Sequence, residues 1–203
     1  MNETSLSLLV RLRSSEESES WNRLMELYGP LLRTWLRKYD VQDNDAEDLM
    51  QDVLLAVSKD LSGFDHNGRP GAFRGWLKTI LINRLRKFWR TRDRRPQART
   101  DSDIDARLDQ LDDPRSELSQ IWNRDHDQYV LRQLLALAEP HFAPQTWSAF
   151  RRVALEGAKP DAVAAELGIS RNSVIIAKCR VLSRLRQESE GLIEASSAFL
   201  GNS

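Results

Sequence analysis

Residues 160–186, PDAVAAELGISRNSVIIAKCRVLSRLR, have the spacing of a helix-turn-helix. Two helices are predicted, at 161–167 and 171–187, with Gly168 suited to a left-handed turn between them. Ser170 is expected to cap the second helix. The apolar positions of that helix share one face: Val174, Val181 and Leu185. This pattern favours a reader of duplex DNA over the alternative, an ordinary pair of antiparallel helices.

The opposite face of the second helix is expected to meet the DNA. Its candidate contact residues are Arg171, Asn172, Ser173, Ile176, Cys179, Arg180 and Ser183. Ile176 stands where a surface helix is normally polar, so it could contact a thymine methyl group in the major groove; a lone exposed isoleucine is the alternative. We interpret Cys179 as a small residue at the groove rather than as a redox sensor.

The charges of the chain sum to zero but are sorted into blocks. Residues 40–65 hold eight acidic side chains and one basic one, whereas 69–99 hold eleven basic side chains and one acidic one. The stretch 101–127 is acidic again, and 171–186 hold five basic side chains and no acid. Two cationic segments divided by an anionic spacer indicate a protein that binds one polyanion at two points.

Composition narrows the class of protein. The 203 residues are 40% hydrophobic and 30% charged, which suits one large domain or two small ones. The single cysteine excludes a disulfide within the chain. No apolar run reaches the roughly 18 residues of a membrane span, and the first residues lack a signal-peptide pattern. We therefore expect a soluble, cytoplasmic protein.

Helical periodicity extends through the chain, and no segment reads as a strand. We predict an all-α fold of two small helical domains, 1–95 and 116–190, followed by a tail at 191–203. Between them, 96–115 is polar, acidic and poor in large apolar residues, which predicts a flexible linker. The triplet Asp43-Asn44-Asp45 is expected to cap a helix.

The first basic helix, predicted at 73–93, differs from a simple DNA-reading helix because most of its circumference is apolar or aromatic. Its narrow polar face, with neighbouring aromatic residues, supplies the candidates for binding unstacked bases: Phe64, Trp76, Thr79, Asn83, Arg86, Lys87 and Arg90. The alternative is that the tryptophans are core and the arginines only solvate a surface. For Phe88 we prefer the core interpretation.

The acidic helix before it has an exposed side that carries Asp48, Gln51, Asp52 and Leu55. A leucine among acids favours a protein partner. A magnesium-dependent nuclease would use the same carboxylates, but the three histidines have no ligand spacing. We therefore expect no catalytic residue, metal or cofactor. The spacer acids read as a solvated tether, or as an anionic strand that occupies a channel meant for nucleic acid.

In this order, the segments resemble the extracytoplasmic-function (ECF) group of bacterial RNA polymerase sigma factors. The resemblance rests on four segments: WNRLMELYGPLLRTWLRKY (21–39), DAEDLMQDVLLAV (45–57), FRGWLKTILINRLRKFWR (73–90) and IAKCRVLSRLR (176–186). It implies a fold with a polymerase-docking and minus-ten domain, a linker, and a helix-turn-helix domain for the minus-thirty-five element. An anti-sigma partner is common in that group.

The resemblance also implies residue roles. Asp48, Gln51 and Asp52 match the segment that docks on the polymerase clamp, and Asn83 with the 63–71 loop matches the element that captures minus-ten bases. One departure is that Ile175, Ile176 and Ala177 replace a common basic-Ser-Arg triplet, so promoter preferences cannot be copied. The rival interpretation is a helix-turn-helix regulator that acts without polymerase.

Overall fold

The computed structural model describes residues 17–64, 71–92, 101–189 and 192. Within those residues the chain forms eight α-helices: α1 (Glu17–Lys38), α2 (Asp43–Asp60), α3 (Ala72–Arg92), α4 (Asp101–Asp112), α5 (Glu117–Ala138), α6 (Pro144–Phe150), α7 (Pro160–Leu167) and α8 (Arg171–Glu188). A π-helical turn, Arg151–Leu155, continues α6. No strand occurs in these ranges, and the all-α prediction is confirmed. The predicted tail lies outside the described residues, apart from Leu192.

Helices α1, α2 and α3 pack around one apolar core. Its fully buried members include Tyr28, Leu32, Trp35, Met50, Val53, Leu54, Phe73, Leu77 and Leu81. α1 runs through Pro30 without a break, and the Pro30 carbonyl accepts a hydrogen bond from the Thr34 hydroxyl at 2.9 Å. The apolar stripe of α1 therefore stays continuous from Leu24 to Leu36.

The amino terminus of α2 corrects one prediction. The capping position is Gln42, and its side chain makes no capping hydrogen bond. Asp43 and Asp45 lie one and three positions further in, in the first turn, where the helix dipole favours acids. Each also pairs with a cation, Asp43 with Arg37 at 2.9 Å and Asp45 with Arg92. Both carboxylates are thus used in ion pairs between helices instead of as a cap.

The acidic spacer corrects a second prediction, since residues 101–112 form helix α4 where we expected a flexible linker. Ile104, Leu108 and Leu111 are spaced by four and three residues, so they share one helical face. All three are at most 2% exposed in the core. Asp103, Asp105, Asp109 and Asp112 are exposed on the other sides of the helix. Burial of these three aliphatic side chains therefore stabilises a helix in a segment whose acidic composition predicted a linker.

Helices α7 and α8 are joined by a short turn at the residues where a helix-turn-helix is predicted. Gly168 takes the left-handed conformation with φ 65°, which costs a residue without a Cβ little. Ser170 precedes α8, and its hydroxyl accepts a hydrogen bond from the Ser173 backbone at 3.0 Å. Val174, Val181 and Leu185 are fully buried. Turn, cap and buried face all occur at the predicted residues.

The helices before residue 93 and those after residue 100, here called the two halves of the chain, share one hydrophobic core. Nothing in the sequence indicates this shared core. Trp35 of α1 meets Trp122 of α5 edge-on with ring centroids 4.9 Å apart, and both are fully buried. Around this pair, Lys38 binds Asp125 at 2.9 Å and Lys78 donates to Ser119 at 2.6 Å. The predicted boundaries at 95 and 116 stay a prediction, but α5 packs directly on α1 and α3.

Candidate nucleic-acid and protein interfaces

The outer side of α2 is the candidate protein-docking surface. All four predicted residues are exposed: Asp48, Gln51, Asp52 and Leu55. Leu55 is 43% exposed, which leaves a large apolar side chain between the acids. The adjacent acid Glu47 is occupied by a bidentate contact with Arg33, whose nearest nitrogen lies 2.9 Å from the carboxylate. The docking surface is therefore acidic with one apolar contact point.

A groove of about 340 Å³ runs between α2 and α3 beside this surface. Asp52 and Leu49 line it from α2, and Arg84, Lys87 and Phe88 line it from α3. Phe88 is half-buried against the core, as the core interpretation predicted. The groove therefore joins the acidic docking surface to the basic side of α3.

The polar face of α3 is the first candidate nucleic-acid surface. Thr79, Asn83, Lys87 and Arg90 are exposed, as predicted. The Thr79 hydroxyl donates to the Gly75 carbonyl, and Arg90 Nε donates to the Arg86 carbonyl. These local bonds leave the Asn83 amide and the Arg90 guanidinium at the surface. A face of this kind offers cationic and amide donors to a single strand.

Arg86 differs from its neighbours because acids of α4 already hold it. Its guanidinium contacts Asp109 at 2.8 Å and Asp112 at 3.1 Å, and its side chain is 29% exposed. Partial burial opposes the charged form, but hydrogen bonds to the two carboxylates outweigh it and raise the pKa of Arg86. Sequence reasoning placed Arg86 on the nucleic-acid face and offered the spacer acids as occupants of a nucleic-acid channel, but it did not pair Arg86 with Asp109 and Asp112.

The aromatic candidates Phe64 and Trp76 lie together at the start of α3. Their rings stack with centroids 4.6 Å apart, and Phe73 meets Trp76 edge-on at 5.6 Å. Both candidates are half-buried against the core. The stack therefore supports the helix end and keeps part of each ring accessible. Residues 65–70 of the predicted base-capturing loop lie outside the described residues.

The outer face of α8 is the second candidate nucleic-acid surface. Its predicted residues are all exposed: Arg171, Asn172, Ser173, Ile176, Cys179, Arg180 and Ser183. Ile176 is 47% exposed, and Ile175, which was not among the predicted contacts, is 39% exposed. Ile175 and Ile176 are adjacent in the sequence. Helical phase placed only Ile176 on the predicted DNA-facing side, so Ile175 was not among the predicted contacts.

Two of the predicted α8 residues have partners within the protein. Arg171 pairs with Asp161 of α7 at 3.3 Å, and Ser173 bonds with the capping residue Ser170 at 2.8 Å. The first contact joins α7 to α8, and the second lies within the capping turn of α8. Asn172, Ile176 and Arg180 are thus the strongest remaining candidates for base contacts.

No group of three or more His, Cys, Asp or Glu side chains in the described ranges could hold a metal ion. None of the helices described is long and apolar enough to cross a membrane.

Comparison with known proteins finds a similarity that covers most of the first three helices. Residues 24–95 match the model of sigma-70 region 2. The RNA polymerase sigma factor CnrH of Cupriavidus metallidurans is 29% identical over 85 residues, which are 42% of this chain and 43% of that protein. The RNA polymerase sigma factor NccH of Alcaligenes xylosoxydans xylosoxydans is 29% identical over 84 residues, 41% of this chain and 44% of that protein.

The similarity covers two of the three candidate surfaces. The chain spans less than half the length of the curated relatives it matches. Residues 24–95 carry both the docking surface of α2 and the polar face of α3, whereas α8 lies beyond them. The segment 24–95 is similar to sigma-70 region 2, and the two relatives support the predicted resemblance to RNA polymerase sigma factors over this part of the chain.

Proposed function

We propose that this protein is an ECF-type sigma factor that directs core RNA polymerase to promoters and helps to open them. The observation that carries the proposal is one continuous unit, α1 to α3, which matches sigma-70 region 2 and presents an acidic surface and a cationic one. A helix-turn-helix follows in the same chain. No catalytic group is needed, because the chemistry of transcription belongs to the polymerase.

The proposal divides the work among three surfaces. The exposed residues of α2, which include the apolar Leu55, bind the polymerase. The polar face of α3, with Asn83 and Arg90, captures bases of the opened non-template strand, and this contact offsets an unstacking cost of a few kcal/mol per step. The outer face of α8 anchors the complex on duplex DNA. The exposure of all three surfaces supports this division.

A pull-down with purified core polymerase tests the docking step. The full chain is immobilised and incubated with core enzyme in the absence of DNA, with an unrelated helix-turn-helix protein as control. We expect retention of the core enzyme by this chain alone. If the chain binds duplex DNA but retains no polymerase, the stand-alone regulator replaces our proposal.

A further inference from the structure

We propose that helix α4 covers part of the nucleic-acid face of α3 in the free protein, and that Asp109 and Asp112 compete with single-stranded DNA for Arg86. The inference rests on the proposed function, since it takes the polar face of α3 as the strand-binding surface. It adds a regulatory contact within the chain: an acidic helix that must release Arg86 before the face is complete.

The ion pairs of Arg86 carry the inference. Two different carboxylates approach one guanidinium, Asp109 at its Nη2 atom and Asp112 at its Nη1 atom. Carboxylate and phosphate oxygens use the same donors of an arginine, so they exclude each other at one guanidinium. The pairs join residues 23 and 26 positions apart, from separate helices. Arg86 is thus already occupied by groups that resemble its proposed ligand.

The element that covers Arg86 is the helix α4, which is packed against the core. The buried face of α4, formed by Ile104, Leu108 and Leu111, fixes its position in the core. Arg107, on another side of α4, donates to the Lys38 carbonyl and pairs with Asp40 at 3.2 Å. Its guanidinium also lies over the Tyr39 ring, 5.0 Å from the centroid. The carboxylates that face Arg86 are therefore held in place from two sides.

The ionic part of the cover is accessible to solvent. The side chains of Asp109 and Asp112 are 75% and 48% exposed, so each pair with Arg86 contributes little stability and is screened by salt. A polyanion that brings many phosphates can therefore displace them. The apolar face of α4 is not required to leave the core for this exchange to begin.

The α4 helix supplies its own matched control. Asp103 and Asp105 are exposed acids of the same helix that are not partners of Arg86. The variant Asp109→Asn/Asp112→Asn removes two charges and releases Arg86. The variant Asp103→Asn/Asp105→Asn removes the same charge and leaves the Arg86 pairs intact. A difference between the two isolates the specific contact from the general field of the helix.

The experiment measures the affinity of the free full-length protein for a fluorescein-labelled, mixed-sequence single-stranded oligodeoxynucleotide of about 20 nucleotides, by fluorescence anisotropy at low salt. We expect Asp109→Asn/Asp112→Asn to bind roughly 3- to 10-fold more tightly than wild type. The control is expected to gain less than half as much. Adding Arg86→Ala to the double variant should cancel the gain. Asp112→Asn alone retains the Asp109 bond and should give a smaller gain, and it serves if the double variant does not fold.

Two results overturn the cover: equal gains in both double variants, or a gain that persists after Arg86→Ala. Transcription separates this failure from failure of the proposed function. If wild type supports promoter-directed transcription with core polymerase but the affinities do not differ, only the cover is wrong. If no variant supports transcription, the sigma-factor proposal itself fails and takes the inference with it.

Discussion

Trp35 and Trp122 form an edge-on pair that lies in the shared core of the two halves of the chain. Trp35 belongs to the region matched by the sigma-70 model, and Trp122 belongs to α5, outside it. A fully buried aromatic pair contributes through both its area and its geometry. The structure therefore has α5 packed on the part of the chain that is similar to sigma-70 region 2.

The first prediction concerns that pair. Trp122→Ala removes a fully buried indole and should lower the free energy of unfolding by about 3–5 kcal/mol. Leu137→Ala, on the same helix but 53% exposed, should change it by less than about 0.5 kcal/mol. Chemical denaturation followed by circular dichroism measures both. Equal effects would show that the contact between α1 and α5 does not stabilise the fold.

The second prediction concerns pH and the buried His126. Its Nδ1 atom lies 3.0 Å from Asp127, which also pairs with Arg74, and its ring stacks on Tyr28 with centroids 5.8 Å apart. Burial lowers the pKa of His126 below the ordinary value of 6.5, and Arg74 adds to this, whereas Asp127 opposes it. The unfolded chain therefore binds the proton more readily than the folded one.

Stability should consequently be constant above about pH 7 with respect to this group and should fall as the pH drops below 6.5. The slope can approach about 1.4 kcal/mol per pH unit. His126→Gln should flatten the profile between pH 5 and 7 (roughly the histidine range). His141→Gln, which changes an exposed histidine, should leave the slope intact. An unchanged slope in the His126 variant would contradict the assignment.

The third prediction concerns the docking surface of α2. Gln51→Ala/Asp52→Asn should weaken binding of core polymerase by about tenfold, the effect of losing roughly 1–2 kcal/mol of contact. Asp60→Asn removes the same charge at the exposed carboxyl end of the helix and should have little effect. Titration of labelled core enzyme measures both affinities. An unchanged affinity in the double variant would remove these residues from the docking surface.

The fourth prediction concerns Ile176 on α8. If it contacts a thymine methyl group, replacing thymine by deoxyuridine in a duplex that the protein selects from a random pool should weaken binding roughly fourfold. Ile176→Ala should bind both duplexes alike. Ile175→Ala, the neighbouring exposed isoleucine, is the control and should still distinguish them. Loss of discrimination in the Ile175 variant alone would move the contact to that residue.

The helix-turn-helix could be predicted because its signals are local. Gly168, Ser170 and the buried stripe from Val174 to Leu185 act within a few residues of each other. The exposed faces of α2 and α3 followed from helical periodicity in the same way. The pairing of Arg86 with Asp109 and Asp112 could not be predicted in this way, because it depends on how α4 packs against α3.

The acidic composition of the spacer led to a wrong prediction for residues 101–112, which form helix α4. The spacing of Ile104, Leu108 and Leu111 was a readable helical signal, but the surrounding acids predicted a linker. Burial of three aliphatic side chains at about 1.5–3 kcal/mol each is enough to fix a short helix that would be unstable alone. Contact between the halves, including Trp122, depends on tertiary packing that periodicity does not show.

Run-off transcription is the direct test of sigma-factor function. Purified core polymerase is combined with the full chain on fragments of genomic DNA, with Gln51→Ala/Asp52→Asn as the matched variant. We expect discrete transcripts that require the wild-type chain and are reduced by the α2 variant. Absence of any chain-dependent transcript, in a reaction where core enzyme remains active with another sigma factor, would contradict the proposed function.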